Sequence, residues 1–350
     1  MARLARAEVF DPAEVSVFHC INRCVRRCFL CGHDPLTGQN FDHRKAWLEA
    51  RLERLAGQFG IDVLGFAIMS NHFHLVLRNR PDVVSTWSDT EVAQRWLRLC
   101  PVRKEIEGQP AEPTDAELDT LRCCSEKLAI VRRRLSDISW LMRMIAEPIA
   151  RMANDEDRVS GRFWQGRFKS VRLCDEAALL ACLAYVDLNA IRAGLATTPE
   201  TSDFTSVQRR IDAVKKSTRS RAGACTLAVS TSPDAWLSPI PLDEAIAPPG
   251  PLPGCTGRRA SDKGCLPMTL FDYLELVDWT GRQMVAGKSS MPAHLPPILK
   301  RLGMERDNWL PLVVGFGGLF HRVAGAPRTL GSSSRWRRFR PGKAALLGAG

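Results

Sequence analysis

The chain has 350 residues, of which 45% are hydrophobic, and 49 basic against 38 acidic side chains give it a formal net charge of +11. This length can bury one full-sized core together with a smaller second unit. No stretch reaches the roughly 20 apolar residues that span a bilayer, and the first residues lack a signal-peptide core, so we expect no membrane span and a cytoplasmic location. The excess of basic residues favours a polyanionic partner, most commonly nucleic acid.

Twelve cysteines are scattered along the chain, a pattern typical of free or buried thiols rather than of a disulfide framework. The tightest group comprises Cys20, Cys24, Cys28 and Cys31. Its spacings are irregular beside the paired C-x2-C knuckles of zinc ribbons, so we favour thiols packed around a strand end over a zinc site.

The first part of the chain predicts strands and helices in the order β-α-β-β-α-β, followed by a further helix. Residues 15–23 alternate as a strand does, and leucines at helical spacing then predict an amphipathic helix that Gly60 ends. Two apolar strands, IDVLGFAIM and HFHLVLR, are separated only by Ser70 and Asn71, as in a tight hairpin. This order predicts an α+β fold, a ferredoxin-like split β-α-β antiparallel sheet with flanking helices.

A mostly helical insertion is predicted from about residue 81 to 157, and GRFWQGRFKSVRL then predicts a basic strand. The last helix of the core should begin near Asp175 as N-cap and end at Gly194. It is predicted to be amphipathic, with a packing stripe formed by Leu179, Leu183, Val186 and Ala190.

The composition changes after Pro199. We expect a catalytic domain over residues 1–200, a flexible linker over 201–265, where KKSTRSR and PPGPLPG occur, and a small, mainly helical, basic C-terminal region over 266–350. The final SSSRWRRFRPGK interleaves basic side chains with Trp336 and Phe339. This pattern fits phosphate contacts with base stacking, and equally a disordered cationic tail.

Two histidines in the second hairpin strand, His72 and His74, are candidate metal ligands. In an extended strand they point to one face, while Phe73, Leu75 and Leu77 point to the other. Two neutral imidazoles on a rigid strand supply half of a divalent-metal site with open positions for oxygen ligands and phosphate. An H-x-H pair also arises by chance, so it is the hairpin with one apolar face that supports this interpretation.

Tyr185 is the candidate nucleophile and one of only two tyrosines, the other being Tyr273. It forms an i, i+4 pair with Asn189 on the flank of the last core helix. A phenol suits reversible phosphodiester cleavage, because the phosphotyrosine conserves the bond energy and the phenolate leaves readily. Asn189 could add a neutral oxygen ligand, so the set suits Mg²⁺ or Mn²⁺. The alternative is a tyrosine that merely covers the core with its hydroxyl in water.

MSNHFHLVL, the later GRFWQGRFKS and then YVDLNAIRAGL together resemble the single-tyrosine HUH transposases, especially the REP-associated tyrosine transposases. The resemblance covers roughly residues 15–195. It implies that His72 and His74 are the HUH pair, Tyr185 the nucleophile, and Asn189 the helix residue that helps bind the metal. The family's usual Asn-Pro is Asn189-Ala190 here, which would leave the ligand intact in a more regular helix.

The resemblance also implies an activity. A transposase of this kind nicks and rejoins hairpin-flanked single-stranded DNA through a 5′-phosphotyrosine, and a homodimer and nucleoid association are compatible with it. Two alternatives stay open: a metal-dependent phosphoesterase in which water attacks, and a domesticated DNA-binding protein that has lost cleavage. The candidates for guiding the strand are basic residues around the sheet, each of which could equally be an ordinary surface charge: Arg26, Arg27, Arg162, Arg167, Lys169 and Arg192.

Overall fold

The computed structural model describes residues 11–25, 30–33, 38–103, 111–222, 232–242, 250–285, 299–300, 304 and 306–332. These residues form a mixed α+β fold, in which a five-stranded sheet carries helices on both faces. None of the helices in these ranges is long and apolar enough to cross a membrane.

The sheet has the strand order β2-β3-β1-β4-β5. Its strands are β1 Ser16–Arg23, β2 Ile61–Ile68, β3 His72–Asn79, β4 Lys169–Leu173 and β5 Val323–Ala324. β1 lies between β3 and β4 and is antiparallel to both, β2 is antiparallel to β3, and β5 is parallel to β4. The predicted hairpin is present, since the backbone N–H of Met69 donates to the carbonyl of His72 at 2.8 Å across the turn.

Six of the described helices precede β4: α1 His43–Ala56, α2 Pro81–Thr86, α3 Asp89–Leu99, α4 Asp115–Arg122, α5 Ser125–Arg134 and α6 Ile138–Glu156. Helices α2 to α6 occupy the region where a helical insertion is predicted. Leucines of α1 and apolar residues of α6 pack against the sheet face that carries Phe73, Leu75 and Leu77. This face of β3 is therefore buried mainly under the first half of the chain.

Six further described α-helices follow β4: α7 Glu176–Asp187, α8 Asn189–Arg192, α9 Ser206–Ala222, α10 Leu270–Val285, α11 Arg306–Leu319 and α12 Pro327–Ser332. Apolar side chains of α7, α10 and α11 form a second core with Leu64, Ala67 and Val76 of the sheet. The opposite face of the sheet is thus covered mainly by the second half of the chain.

The helix that carries Tyr185 differs from its prediction. Asp175 is its N-cap, accepting from the N–H of Ala178, and Gly194 follows with a φ of 69°, as expected for a helix stop. However, α7 is not amphipathic, because every residue from Ala177 to Asp187 is buried between the sheet and the later helices. The prediction of one continuous helix is also wrong, since Leu188 separates α7 from the short α8.

The region where we predicted a flexible linker, residues 201–265, contains the helix α9, and buried residues in its other described parts pack on the sheet. Trp236 is buried with its ring 5.1 Å from that of Phe66. Arg78 of β3 donates to the carbonyls of Lys263 and Gly264 at 2.7 and 2.8 Å. Apolar burial and buried hydrogen bonds outweigh the loose composition here.

A buried carboxylate joins the Tyr185 helix to the C-terminal region. The Asp187 carboxylate accepts from the hydroxyls of Ser206 and Tyr273, both at 2.5 Å, and from the N–H of Val207 at 3.0 Å. Tyr273 lies on α10 and is buried in the same core as Tyr185. Removing everything after Pro199 would therefore open the core rather than detach an independent unit.

A buried ion cluster gives the first prediction. The Asp62 side chain is fully buried and lies 2.6 Å from Arg78 and 3.3 Å from Arg80. Because Asp62→Ala would leave two buried guanidinium groups without this carboxylate, we expect it to lower the free energy of unfolding by about 3–5 kcal/mol. Urea denaturation measures this, with Asp119→Ala in an exposed ion pair with Arg122 as control. Equal midpoints for the two variants would contradict the prediction.

Candidate active site

The two predicted metal-ligating histidines share one face of β3. Their ring centroids are 4.8 Å apart. Across the β1–β3 ladder, His72 lies opposite Arg23 and His74 opposite Ile21. His74 is buried, whereas His72 at the end of the strand is half-buried. The period-two alternation therefore places both imidazoles on the side of the sheet that α7 covers.

Tyr185 lies next to this pair. Its ring centroid is 5.6 Å from that of His74, with the two rings nearly perpendicular. The phenol comes from α7, which packs directly on the sheet face that carries the histidines. Tyr185 and both imidazoles thus come together within a single chain.

Asn189 and Arg192 complete the polar environment of the phenol. Arg192 Nη2 donates to the Tyr185 hydroxyl at 3.1 Å and to Asn189 Oδ1 at 2.7 Å, and its guanidinium carbon lies 4.5 Å from the Tyr185 ring centroid. Asn189 Nδ2 donates to the backbone carbonyl of Tyr185 at 3.0 Å. The amide oxygen that we predicted as a metal ligand is therefore directed at a guanidinium in this conformation.

Sequence reasoning missed a third histidine, His19 of β1. Its Nε2 lies 2.9 Å from Nδ1 of His74, and its ring centroid lies 5.8 Å from that of Tyr185. His19 sits opposite Val76 in the ladder, which places it diagonally beside His74. The only signal in the sequence was a histidine inside a predicted strand, and the strand order was needed to bring it to His74.

Burial keeps all three imidazoles neutral. Burial, with a smaller effect of His72, lowers the pKa of His19 to about 3. Burial, then the charges of Arg23 and Arg192, lower the pKa of His72 to about 4, and burial also lowers the pKa of His74 well below its usual value. A neutral imidazole is the form that binds metal ions.

A buried nitrogen without a hydrogen-bond partner indicates that the site can accept a divalent ion. Nε2 of His74 is buried and has no hydrogen-bond partner. His72 Nδ1 lies 2.6 Å from Asn71 Oδ1, which leaves Nε2 as the ring nitrogen able to coordinate. In the described part of the chain no three His, Cys, Asp or Glu side chains form a metal-binding group. The fit to a divalent ion therefore rests on the imidazoles of His72 and His74. The predicted third ligand, the amide oxygen of Asn189, accepts from Arg192 instead.

Helix α11 covers the phenol. The Phe316 ring centroid lies 5.7 Å from that of Tyr185, and a Cβ added at Gly317 would lie 2.7 Å from the Tyr185 hydroxyl. Only a residue without a side chain permits this approach. Tyr185 is 7% exposed. Arg192 and the Phe316–Gly317 segment therefore enclose the Tyr185 hydroxyl in this conformation.

The described basic residues that we predicted to guide a DNA strand lie at different distances from the histidines. Lys169 is exposed and pairs with Ile21 of β1, the residue opposite His74. With neighbouring strands about 5 Å apart, Lys169 lies about 10 Å from His74 on the same face. Arg162 and Arg167 are exposed on the loop before β4 and form no ion pair within the described ranges. Arg192 contacts the phenol itself, and Arg26 and Arg27 lie outside the described residues.

Among the described residues, the cysteines of this group form no set of three ligands that could hold a metal ion. Cys20, Cys24 and Cys31 are buried thiols, and Cys28 lies outside the described residues. Burial raises the pKa of Cys31 to about 12, so this side chain is a thiol in the metal-free protein. The described part of the chain thus agrees with packed thiols.

Protonation of His72 should make the fold less stable at acidic pH. Because the pKa of His72 is about 4 in the fold and 6.5 in an exposed histidine, the unfolded chain binds the proton first as the pH falls. In metal-free protein, protonation of His72 should therefore lower the free energy of unfolding by up to about 2 kcal/mol as the pH falls from roughly 6.5 to 5. Above this window His72 should not change the stability with pH. Urea midpoints should fall less for His72→Gln than for wild type, and equal falls would contradict this.

A solved structure of a REP-associated tyrosine transposase bound to a REP hairpin is similar to this chain. The similarity covers 56% of this chain and 79% of that chain, with 10% sequence identity and a TM-score of 0.33. No protein-family model matches the sequence, and no curated protein matches it.

Proposed function

We propose that this chain is a single-tyrosine transposase of the HUH type, which nicks and rejoins single-stranded DNA through Tyr185. The observation that carries the proposal is a chain of contacts within one chain. The His74 ring centroid lies 4.8 Å from that of His72 and 5.6 Å from that of Tyr185, and Arg192 Nη2 lies 3.1 Å from the Tyr185 hydroxyl. A nucleophile, two metal-binding nitrogens and a cation are what transfer of a phosphodiester bond requires.

In the proposed reaction the Tyr185 oxygen attacks the strand phosphorus. A bond forms between this oxygen and phosphorus, and the bond from phosphorus to the 3′ oxygen breaks, giving a 5′-phosphotyrosine and a 3′-hydroxyl. The phenol loses its proton and the 3′ oxygen gains one. A hydroxyl of a second strand reverses the step. Arg192, which already donates to the Tyr185 oxygen, would stabilise the phenolate both when it attacks and when it leaves.

His72 and His74 would hold the divalent ion, Mg²⁺ or Mn²⁺, through their free Nε2 atoms. The bound ion would polarise the phosphate and neutralise charge on its oxygens. Asn189 would join them only after its amide oxygen releases Arg192, since the two groups are hydrogen bonded at 2.7 Å. Exchange of this one contact would free the amide oxygen for the ion and the guanidinium for the phosphate.

Several finer features belong to the same proposal. The order β4-β1-β3-β2 with antiparallel neighbours supports a ferredoxin-like core. Exposed Lys169, Arg162 and Arg167 beside the end of β1 support a path for an anionic strand towards His72. The hairpin flanking the substrate and a homodimer stay predictions from the family resemblance.

One observation favours a different function. Tyr185 is almost fully buried beneath Phe316 and Gly317, as would suit a DNA-binding protein that has lost cleavage. Both proteins would bind single-stranded DNA, but only the transposase would form a covalent bond. The two functions therefore differ in one measurable product.

Adduct formation is the test. We expect the purified full chain, incubated with hairpin-bearing single-stranded oligonucleotides and Mn²⁺ or Mg²⁺, to give an SDS-resistant complex that EDTA prevents. A label at the 3′ end of the oligonucleotide should remain on the protein, and a label at its 5′ end should be released with the 3′-hydroxyl fragment. Binding without any covalent product across a panel of hairpin substrates would instead support the DNA-binding alternative.

A further inference from the structure

His19 and His74 form a hydrogen bond whose geometry is well defined. The two ring nitrogens are 2.9 Å apart, the ring planes differ by 13° and the centroids are 5.1 Å apart. A straight in-plane hydrogen bond between two imidazoles separates their centres by roughly 5 Å, whereas rings in face-to-face contact hold their atoms about 3.4 Å apart. The two rings therefore meet edge to edge, with one shared proton between Nε2 of His19 and Nδ1 of His74.

The position of that proton decides what His74 can bind. If His74 Nδ1 carries it, Nε2 of His74 keeps a lone pair. If His19 Nε2 carries it, neutral His74 has its own proton on Nε2, where it would be a buried donor without an acceptor. Only the first arrangement leaves His74 able to coordinate a cation.

We propose that His19 is a positioning residue, which accepts the Nδ1 proton of His74 and so directs the Nε2 lone pair of His74 towards a divalent cation. The inference rests on the metal site of the proposed function. His72 has a matching arrangement, because its Nδ1 lies 2.6 Å from Asn71 Oδ1. Each of the two histidines thus has its Nδ1 occupied by a neighbour and its Nε2 left for the ion.

The surroundings hold His19 in place. It is 1% exposed, and the rings of Tyr185 and Phe316 pack on it with centroids 5.8 and 6.2 Å away. Its ring therefore has little freedom to leave His74. The same packing means that a substitution at His19 needs a check of folding.

The test compares two variants. His19→Leu removes the acceptor and keeps an apolar side chain, while His19→Gln retains an acceptor oxygen. Free Mn²⁺ is titrated into each full-length protein and measured by electron paramagnetic resonance, with folding checked by circular dichroism. We expect His19→Leu to bind Mn²⁺ about 10- to 100-fold more weakly than wild type, and His19→Gln to lose less. His321→Leu, at an exposed histidine, is the matched control and should bind as wild type does.

A second readout needs neither metal nor variant. In metal-free wild type, the ¹⁵N shifts of His74 should show a protonated Nδ1 and an unprotonated Nε2. A proton on Nε2, or a folded His19→Leu that binds Mn²⁺ as tightly as wild type, overturns the inference. If His19→Leu does not fold, the wild-type shifts decide. Wild type that binds no Mn²⁺ would remove the metal site of the proposed function as well, whereas an unchanged His19→Leu would remove only the role of His19.

Discussion

Tyr185→Phe is expected to form no SDS-resistant adduct with single-stranded DNA, because the oxygen that would bond to phosphorus is gone. The ring contacts with His74 and Phe316 remain, so the fold should be kept. Only the hydrogen bond from Arg192 is lost, and this loss should lower the free energy of unfolding by about 1 kcal/mol. Gel electrophoresis of labelled oligonucleotide measures the adduct, and a filter assay measures binding, which should persist.

Tyr273→Phe is the matched control, since Tyr273 is the other tyrosine of the chain. Its hydroxyl donates to buried Asp187, so this variant should be less stable by about 1–3 kcal/mol. It should nevertheless form adduct at the wild-type level per folded molecule. If Tyr185→Phe forms the adduct and Tyr273→Phe does not, the nucleophile is Tyr273 of α10 and not Tyr185. Strand cleavage without adduct in both wild type and Tyr185→Phe would support the phosphoesterase in which water attacks.

His72→Ala is expected to lower the rate of adduct formation on the order of 1,000-fold at limiting Mn²⁺, because transition-state charge stabilisation by a metal contributes several kcal/mol. His72 is half-buried at the end of β3, so its loss should cost little stability. Raising the Mn²⁺ concentration should restore part of the rate, since one imidazole remains at the site. Initial rates over a Mn²⁺ series measure both effects.

His43→Ala is the control for that series. His43 is an exposed histidine that pairs with Glu156 at 2.7 Å, on the side of the sheet opposite Tyr185. Its rate and Mn²⁺ dependence should equal those of wild type. If His72→Ala behaves in the same way, the metal is not held by His72, and the proposed arrangement of the site is wrong.

Helix α11 covers Tyr185, so its movement could limit the rate of adduct formation. Val314 and Gly317 of α11 both approach the site, Val314 through its carbonyl 3.4 Å from Arg192 Nη1. Movement of this segment would precede attack on a phosphate. A slow adduct in wild type would then report opening rather than chemistry, so variants should be compared at the same DNA saturation.

The features that the sequence by itself determined are those set by local periodicity and by turn chemistry. Alternation in β3 placed His72 and His74 on one face, the two-residue turn defined the hairpin, and Asp175 with Gly194 marked the limits of the Tyr185 segment. Each depends on residues within a few positions of one another, where backbone geometry alone decides which side chains face the same way.

Only the tertiary structure decided the features that depend on long-range contacts. His19 reaches His74 across 55 positions because β1 lies beside β3. Described residues within 201–265 pack on the sheet although the composition there predicted a linker, because buried partners such as Arg78 and Asp187 satisfy their polar groups. The same packing buries all of α7 and places Gly317 against the Tyr185 hydroxyl. Such contacts depend on which distant surfaces meet, and no local pattern encodes that.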